Sequence, residues 1–133
     1  MVSSSIENLK KRKGTGGKIR PYRSRRLFER DYYSADTRLG EKAIQSRRTR
    51  GGKIKKFLTF HNYVNVLNKT TGKIQHVMIK SVISNPSNRD YNRRKIITKG
   101  TIVETELGDA TIISRPGQDS ILNAVLNLSL IHI

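Results

Sequence analysis

Hydrophobic positions are distributed differently in the two halves of this chain. Over residues 1–52 they are sparse and sustain neither a period of 2 nor one of 3.6, and glycines recur at positions 14, 16, 17, 40, 51 and 52. Such a segment buries too little apolar surface to hold a fold by itself, so it reads as an irregular arm. A short helix within residues 38–47, capped by Asp36 or Thr37, is the one regular element expected there. From residue 53 onward, short β-rich runs are bounded by turn residues. "KIKKFLTF" leads into "YVNVLN", where Val64 and Val66 alternate with Asn65 and Leu67, and "KTTGK" reads as a hairpin loop before the longer run "IQHVMIKSVIS". "NPSNRDYNRR" is a polar loop, "KIIT" a short strand and "SRPGQ" a turn. In "ILNAVLNLSL" the even positions Leu122, Ala124, Leu126, Leu128 and Leu130 are apolar while Asn123, Asn127 and Ser129 break the odd row, which favours a strand.

The segment "TKGTIVETELGDATIISRPGQ" has the pattern of a β-hairpin. A two-residue turn at Gly108–Asp109 sets Leu107 against Ala110, Thr105 against Ile112 and Val103 against Ser114. One face is then mostly apolar. Glu104, Glu106 and Thr111 fall on the other with Ile102 and Ile113, a solvated surface with partial cover. The expected fold class is therefore all-β: a small antiparallel β-barrel or sandwich over residues 53–133, preceded by a long basic, mostly irregular N-terminal arm over residues 1–52.

Charge sharpens this division. The 133 residues carry 27 Lys+Arg against 10 Asp+Glu, a formal net charge of +17. Residues 1–56 hold eighteen of those cations and five of the acids. So strong an imbalance calls for an anionic partner. Cysteine is absent, which excludes disulfides and thiolate metal sites, and three scattered histidines make a zinc site a poor reading. The longest apolar stretch, "ILNAVLNLSLIHI", is too short to span a bilayer, so a soluble cytoplasmic protein is expected.

"TGGKIR" invites comparison with a phosphate-binding loop, but that motif needs Gly at position 12 and a hydroxyl after the lysine, where the chain has Arg12 and Ile19. The weaker reading is physical: Gly16 and Gly17 let backbone N–H groups approach phosphate, while Lys18 and Arg20 supply charge. "TRGGKIK" at residues 49–55 repeats this with Gly51, Gly52, Lys53 and Lys55. For either glycine pair alone, a flexible linker is an equally good account. Arg23, Arg25, Arg26, Arg47, Arg48 and Arg50 cluster with Tyr22, Phe28, Tyr32 and Tyr33 interleaved. Guanidinium groups grip phosphates bidentately and stack on bases, so this density points to nucleic acid rather than to solvated charge. A second contact is expected from Arg89, Tyr91, Arg93 and Arg94 in "NRDYNRRK". Glu104 and Glu106 share a strand face without an accompanying His or third carboxylate, so a solvated hairpin fits better than a metal site. No nucleophile or metalloprotease pattern is present.

The blocks "TGGKIRPYRSRR", "TRLGE", "RTRGGKIK" and "NPSNRDYNRRKIITKGTIVETELGDATIISRPGQDSILNAVL" occur in the order, and nearly the spacing, found in the archaeal and eukaryotic type of small-subunit ribosomal protein eight. From about Lys13 to Leu126 the chain resembles that family, and its length is more like the short archaeal form. The opening "MVSSSIENLKK" departs from the family's usual start, Gly14 stands where proline is often found, and Lys95 replaces a frequent asparagine. The resemblance implies a structural protein of the small ribosomal subunit, with a basic arm against ribosomal RNA and neighbouring subunit proteins as further partners. It implies no enzyme activity, cofactor, metal, membrane or small-molecule substrate. Lys13, Thr15, Gly16, Gly17, Arg20, Arg23, Arg25 and Arg26 fall on or beside the family's first basic motif, and Thr49, Arg50, Gly51 and Gly52 on its second. Asn85, Pro86, Asn88, Arg89, Tyr91, Arg93 and Arg94 fall on the loop before "IITKG". A sequence-tolerant DNA binder and a metal-dependent nuclease are the rival readings; the first lacks a recognition helix, the second a convergent catalytic set.

Overall fold

The computed structural model describes residues 12–20, 23, 26 and 33–127. The chain divides into two compact units, Met1–Tyr33 and Ser34–Ile133. In the first, residues 12–18 close a small turn: Arg12 and Lys18 form an antiparallel bridge, and the Lys13 amide donates to the Gly17 carbonyl at 3.0 Å.

The described residues of the second unit form seven strands and two short helices: β1 (Ala43–Arg48), β2 (Ile54–Phe60), β3 (Tyr63–Leu67), β4 (Ile74–Ser84), α1 (Arg89–Arg93), β5 (Ile102–Thr105), β6 (Gly108–Ile112), α2 (Pro116–Asp119) and β7 (Asn123–Leu126). Strands β3 to β7 close a barrel in sequence order. Each neighbour pairs antiparallel except at the seam, where β3 and β7 run parallel, with Val66 opposite Ala124. Parity requires this. Five strands of alternating direction start and finish pointing the same way, so the closing pair cannot be antiparallel. Closure leaves no barrel edge open to another chain.

The period-2 pattern supplies the core. Val64, Val66, Val77, Ile79, Val103, Ala110, Ile112, Leu122 and Ala124 point inward, joined by Leu58 from β2 and by Ile97. On β4 the inward parity changes from Val77 and Ile79 to Val82. The β4–β5 register slips between Ile79 and Ser81, and again between Val82 and Ser84. Each slip is a bulge with one extra residue on β4, which bends that long strand from its partner β3 to its partner β5.

Four expectations need correction. Residues 38–47 form no helix; they contain the start of β1, which pairs with β2 from Ala43↔Phe60 to Arg48↔Ile54. Residues 34–52 lie within the second unit. "KIIT" does not form a strand. Ile96 and Ile97 are buried there, and Ile97 makes a single bridge to Thr37. The polar loop at 85–94 contains α1, whose N-cap Asn88 accepts the Asp90 amide at 2.9 Å through Oδ1.

The β5–β6 hairpin exists, but with Val103 opposite Ala110 and Thr105 opposite Gly108, so its turn is Glu106–Leu107. Moving the register by an even number of residues keeps each side chain on its face, so Val103, Thr105, Ala110 and Ile112 still point inward. "SRPGQ" reverses the chain through the single turn of α2, and the Arg115 amide donates to Asp119 Oδ2 at 3.1 Å.

The segment "TRLGE" ties the β1–β2 hairpin to the barrel. Buried Thr37 donates through Oγ1 to the Leu58 carbonyl at 2.8 Å, the Arg38 amide donates to the Thr59 carbonyl at 3.0 Å, and Leu39 packs on the core. A Cβ at Gly40 would lie 3.0 Å from Phe60 Cδ1, so only glycine fits there without displacing that ring.

Candidate nucleic-acid interface

Hairpin β1–β2 holds a concentrated positive charge. Between residues 43 and 60 it carries Arg47, Arg48, Arg50, Lys53, Lys55 and Lys56 and no acid. Arg47 faces Lys55 directly across the strands, a like-charge pair that costs stability unless an anion lies between or above it. Its guanidinium also lies 5.2 Å from the centre of the Phe57 ring. Arg48, Arg50, Lys53 and Lys56 are exposed, and Arg47 and Lys55 half-buried. At the tip, Arg50–Gly52 forms a 3-10 turn closed by Thr49, whose amide and hydroxyl both donate to the Lys53 carbonyl at 2.7 and 3.0 Å. Gly51 and Gly52 have φ of +79 and +76°, a left-handed pair that side chains resist. Space around both is open, so it is conformation rather than crowding that selects glycine, and two consecutive left-handed residues set a sharply curved tip.

The loop between β4 and β5 is held by buried Asn85, which donates through Nδ2 to the Ile96 carbonyl at 2.8 Å and accepts the Ser87 amide at 3.0 Å. Its α1 presents exposed Arg89 and half-buried Tyr91. Arg93 donates to Asp90 at 2.7 Å, and Arg94 donates to Asp90 at 3.2 Å and to Asp36 at 2.8 Å. Hydrogen bonds from Arg93, then Arg94, hold the Asp90 carboxyl below its ordinary range. The same bonds, Asp90 first and Asp36 next, strengthen Arg94's hold on its proton. Of the two adjacent arginines read from the sequence as contacts, Arg93 stays exposed while Arg94 is committed to two carboxylates.

In the first unit Lys13, Thr15, Gly16, Gly17, Lys18 and Arg20 are all exposed, and Gly16 takes φ +83° within the turn. Arg26 is exposed and Arg23 half-buried. Tyr22 and Arg25 lie outside the described residues.

The acids are segregated. From Lys42 to Arg89 the sequence has no Asp or Glu and eleven Lys+Arg, while Glu104, Glu106 and Asp109 gather on hairpin β5–β6. Glu104 accepts from Ser81 Oγ at 2.8 Å, and among the described residues no three His, Cys, Asp or Glu side chains converge as a metal set. No helix among the described residues is long and apolar enough to cross a membrane.

Two features escaped the sequence reading. Lys56 extends the hairpin's charge, and its place in the run "KIKK" would have revealed it. On the outer barrel face, Tyr63 stacks on His76 with ring centres 5.0 Å apart and planes at 13°, and His61 meets Tyr63 edge-on at 6.2 Å. No local motif announces that cluster. It arises because the register sets Tyr63 opposite Met78 and Asn65 opposite His76, making Tyr63 and His76 diagonal neighbours.

Comparison with known proteins places these features in a family context. The family model described as ribosomal protein S8e matches residues 7–127. The small ribosomal subunit protein eS8 of Nanoarchaeum equitans is 49% identical over 83% of this chain and 87% of its own length. Those of Methanocorpusculum labreanum and Picrophilus torridus are 45% and 43% identical, each over 86% of this chain and 92% of its own length.

Proposed function

This chain belongs to the ribosomal protein S8e family, and from that premise we propose that it is a structural constituent of the small ribosomal subunit in the cytoplasm, binding ribosomal RNA. The family is a structural rather than an enzymatic class. The observation that carries the RNA reading is the β1–β2 hairpin, with six cations, no acid and a left-handed glycine tip. Phosphates above the hairpin relieve the repulsion between Arg47 and Lys55, and backbone N–H groups at a glycine tip approach phosphate without side chains in the way. Arg89 and Arg93 on α1, together with the TGGKIR and RPYRSRR segments, add further phosphate contacts. The barrel is the rigid body that fixes the direction from which the hairpin and α1 approach, and neighbouring subunit proteins meet its remaining surface.

The test is salt-dependent binding of the full chain to small-subunit ribosomal RNA and to duplex DNA of matched length. Neutralising about six to ten phosphates gives an affinity loss of roughly 10³–10⁵ between about 50 and 200 mM salt. A flat salt response, or equal affinity for the DNA, would overturn this function.

A further inference from the structure

The outer surface of β3 and β4 carries aromatic groups that the barrel does not need. Tyr63 is 45% exposed and His76 is exposed, yet their rings are already parallel and in contact. His61 is fixed beside them, because its Nδ1 accepts the Tyr63 amide at 3.1 Å; the imidazole is thereby held with Nε2 pointing away from the backbone. Exposed Ile74 and Met78 flank the pair on β4. This surface lies within the acid-free span of residues 42–89, with Lys42 close enough to act on His61 and Lys80 next but one to Met78. A parallel ring pair, pre-stacked and with lysines nearby, offers a π-face to a planar ligand that carries phosphate.

We propose that the Tyr63–His76 pair is a stacking platform for an unpaired base of the bound RNA, a second contact distinct from the phosphate-gripping hairpin. The inference rests on the RNA-binding function above and adds to it the class of nucleotide recognised: a base splayed from a loop or bulge rather than one within a helix. The base continues the stack on the ring face that Tyr63 leaves uncovered, and Lys42 and Lys80 meet the phosphates on either side. Lowered protonation of His61 keeps the neighbouring imidazole neutral near pH 7, available as a hydrogen-bond donor through Nε2 to a base edge.

Stacking and phosphate contact leave different signatures in salt. The full chain carrying Tyr63→Ala together with His76→Ala should bind archaeal small-subunit ribosomal RNA about 5- to 150-fold more weakly, with the slope of log affinity against log salt unchanged. Tyr63→Phe should retain the parent affinity, which separates stacking from the hydroxyl. Because the chain has no tryptophan, Tyr63→Trp creates a single reporter whose emission should be quenched by that RNA and left alone by a fully paired RNA duplex. Parent affinity in the double alanine variant overturns the platform. So does indole emission from the Tyr63→Trp variant that is indifferent to the ribosomal RNA, the result expected if a protein covers this face. Failure of the parent chain to bind the RNA with a salt dependence would instead remove the function on which the proposal rests.

Discussion

Arg94 and Asp36, fifty-eight positions apart in sequence, are joined by a 2.8 Å hydrogen bond between Nη2 and Oδ2, while the other arm of the same guanidinium holds Asp90. One side chain thus links α1 to the segment that anchors hairpin β1–β2. Two basic surfaces keep a fixed relation through this linkage.

Replacing Arg94 with leucine should lower the unfolding midpoint and weaken RNA binding without removing an RNA contact. Lysine should not restore either, since a single ammonium cannot span both carboxylates as the guanidinium fork does. A double-mutant cycle with Asp36→Asn, read by urea denaturation, should show coupling that declines with added salt.

The depressed Asp90 carboxyl gives stability a pH dependence of known sign. Its contribution is fully present above the unfolded carboxylate range near pH 4 and is lost as pH falls through the lower folded value. Asp90→Asn should flatten that part of the stability profile, as measured by denaturant midpoints across acid pH.

His61 titrates in a different window. Burial first, then Lys42 and His76, depress its pKa, so the unfolded chain takes up this proton at a higher pH than the folded one. Stability attributable to His61 is present above about pH 6.5 and is lost as pH falls from there to the folded value. In an NMR titration, Lys42→Ala should move the His61 midpoint back toward its ordinary position.

Leu58 is fully buried, and it is the core residue contributed by the hairpin. Leu58→Ala should cost about 2–5 kcal/mol and loosen the hairpin from the barrel, seen as faster amide exchange along β1 and β2.

At the hairpin tip, Gly51→Ala and Gly52→Ala should each cost about 1–2 kcal/mol in unfolding free energy measured by denaturant titration, because left-handed backbone penalises a Cβ even where space is free. Asparagine at either site should cost less than alanine. Lys95, at φ +55°, is a related case. Asparagine tolerates this backbone better than most side chains, and the lysine is steadied by its 3.0 Å bond from Nζ to the Val82 carbonyl.

The strands that bury a face were legible in the sequence. Val64 and Val66, Val103 and Thr105, and Leu122 and Ala124 announce β3, β5 and β7 by alternation alone. Strand β1 was not, because "AIQSRR" buries no continuous face and is extended only through its pairing with β2. The β5–β6 turn was placed at Gly108–Asp109 by composition, whereas Thr105 fixes the register by donating through Oγ1 to the Gly108 carbonyl at 2.7 Å. The basic runs of the proposed interface were visible as residues. The withdrawal of Arg94 into an ion pair and the meeting of Tyr63 with His76 depend on tertiary geometry, and no local spacing encodes either.

The parallel seam between β3 and β7 also sets the order of events during synthesis. Val66 leaves the ribosome more than fifty residues before its partner Ala124, so the inner face of β3 waits, uncovered, through the making of most of the barrel. All that time the cationic hairpin, which precedes β3, is already complete. A nascent chain of this kind presents its charge before it can hide its grease, and anything that shields the hairpin early also shelters a half-built core from aggregation.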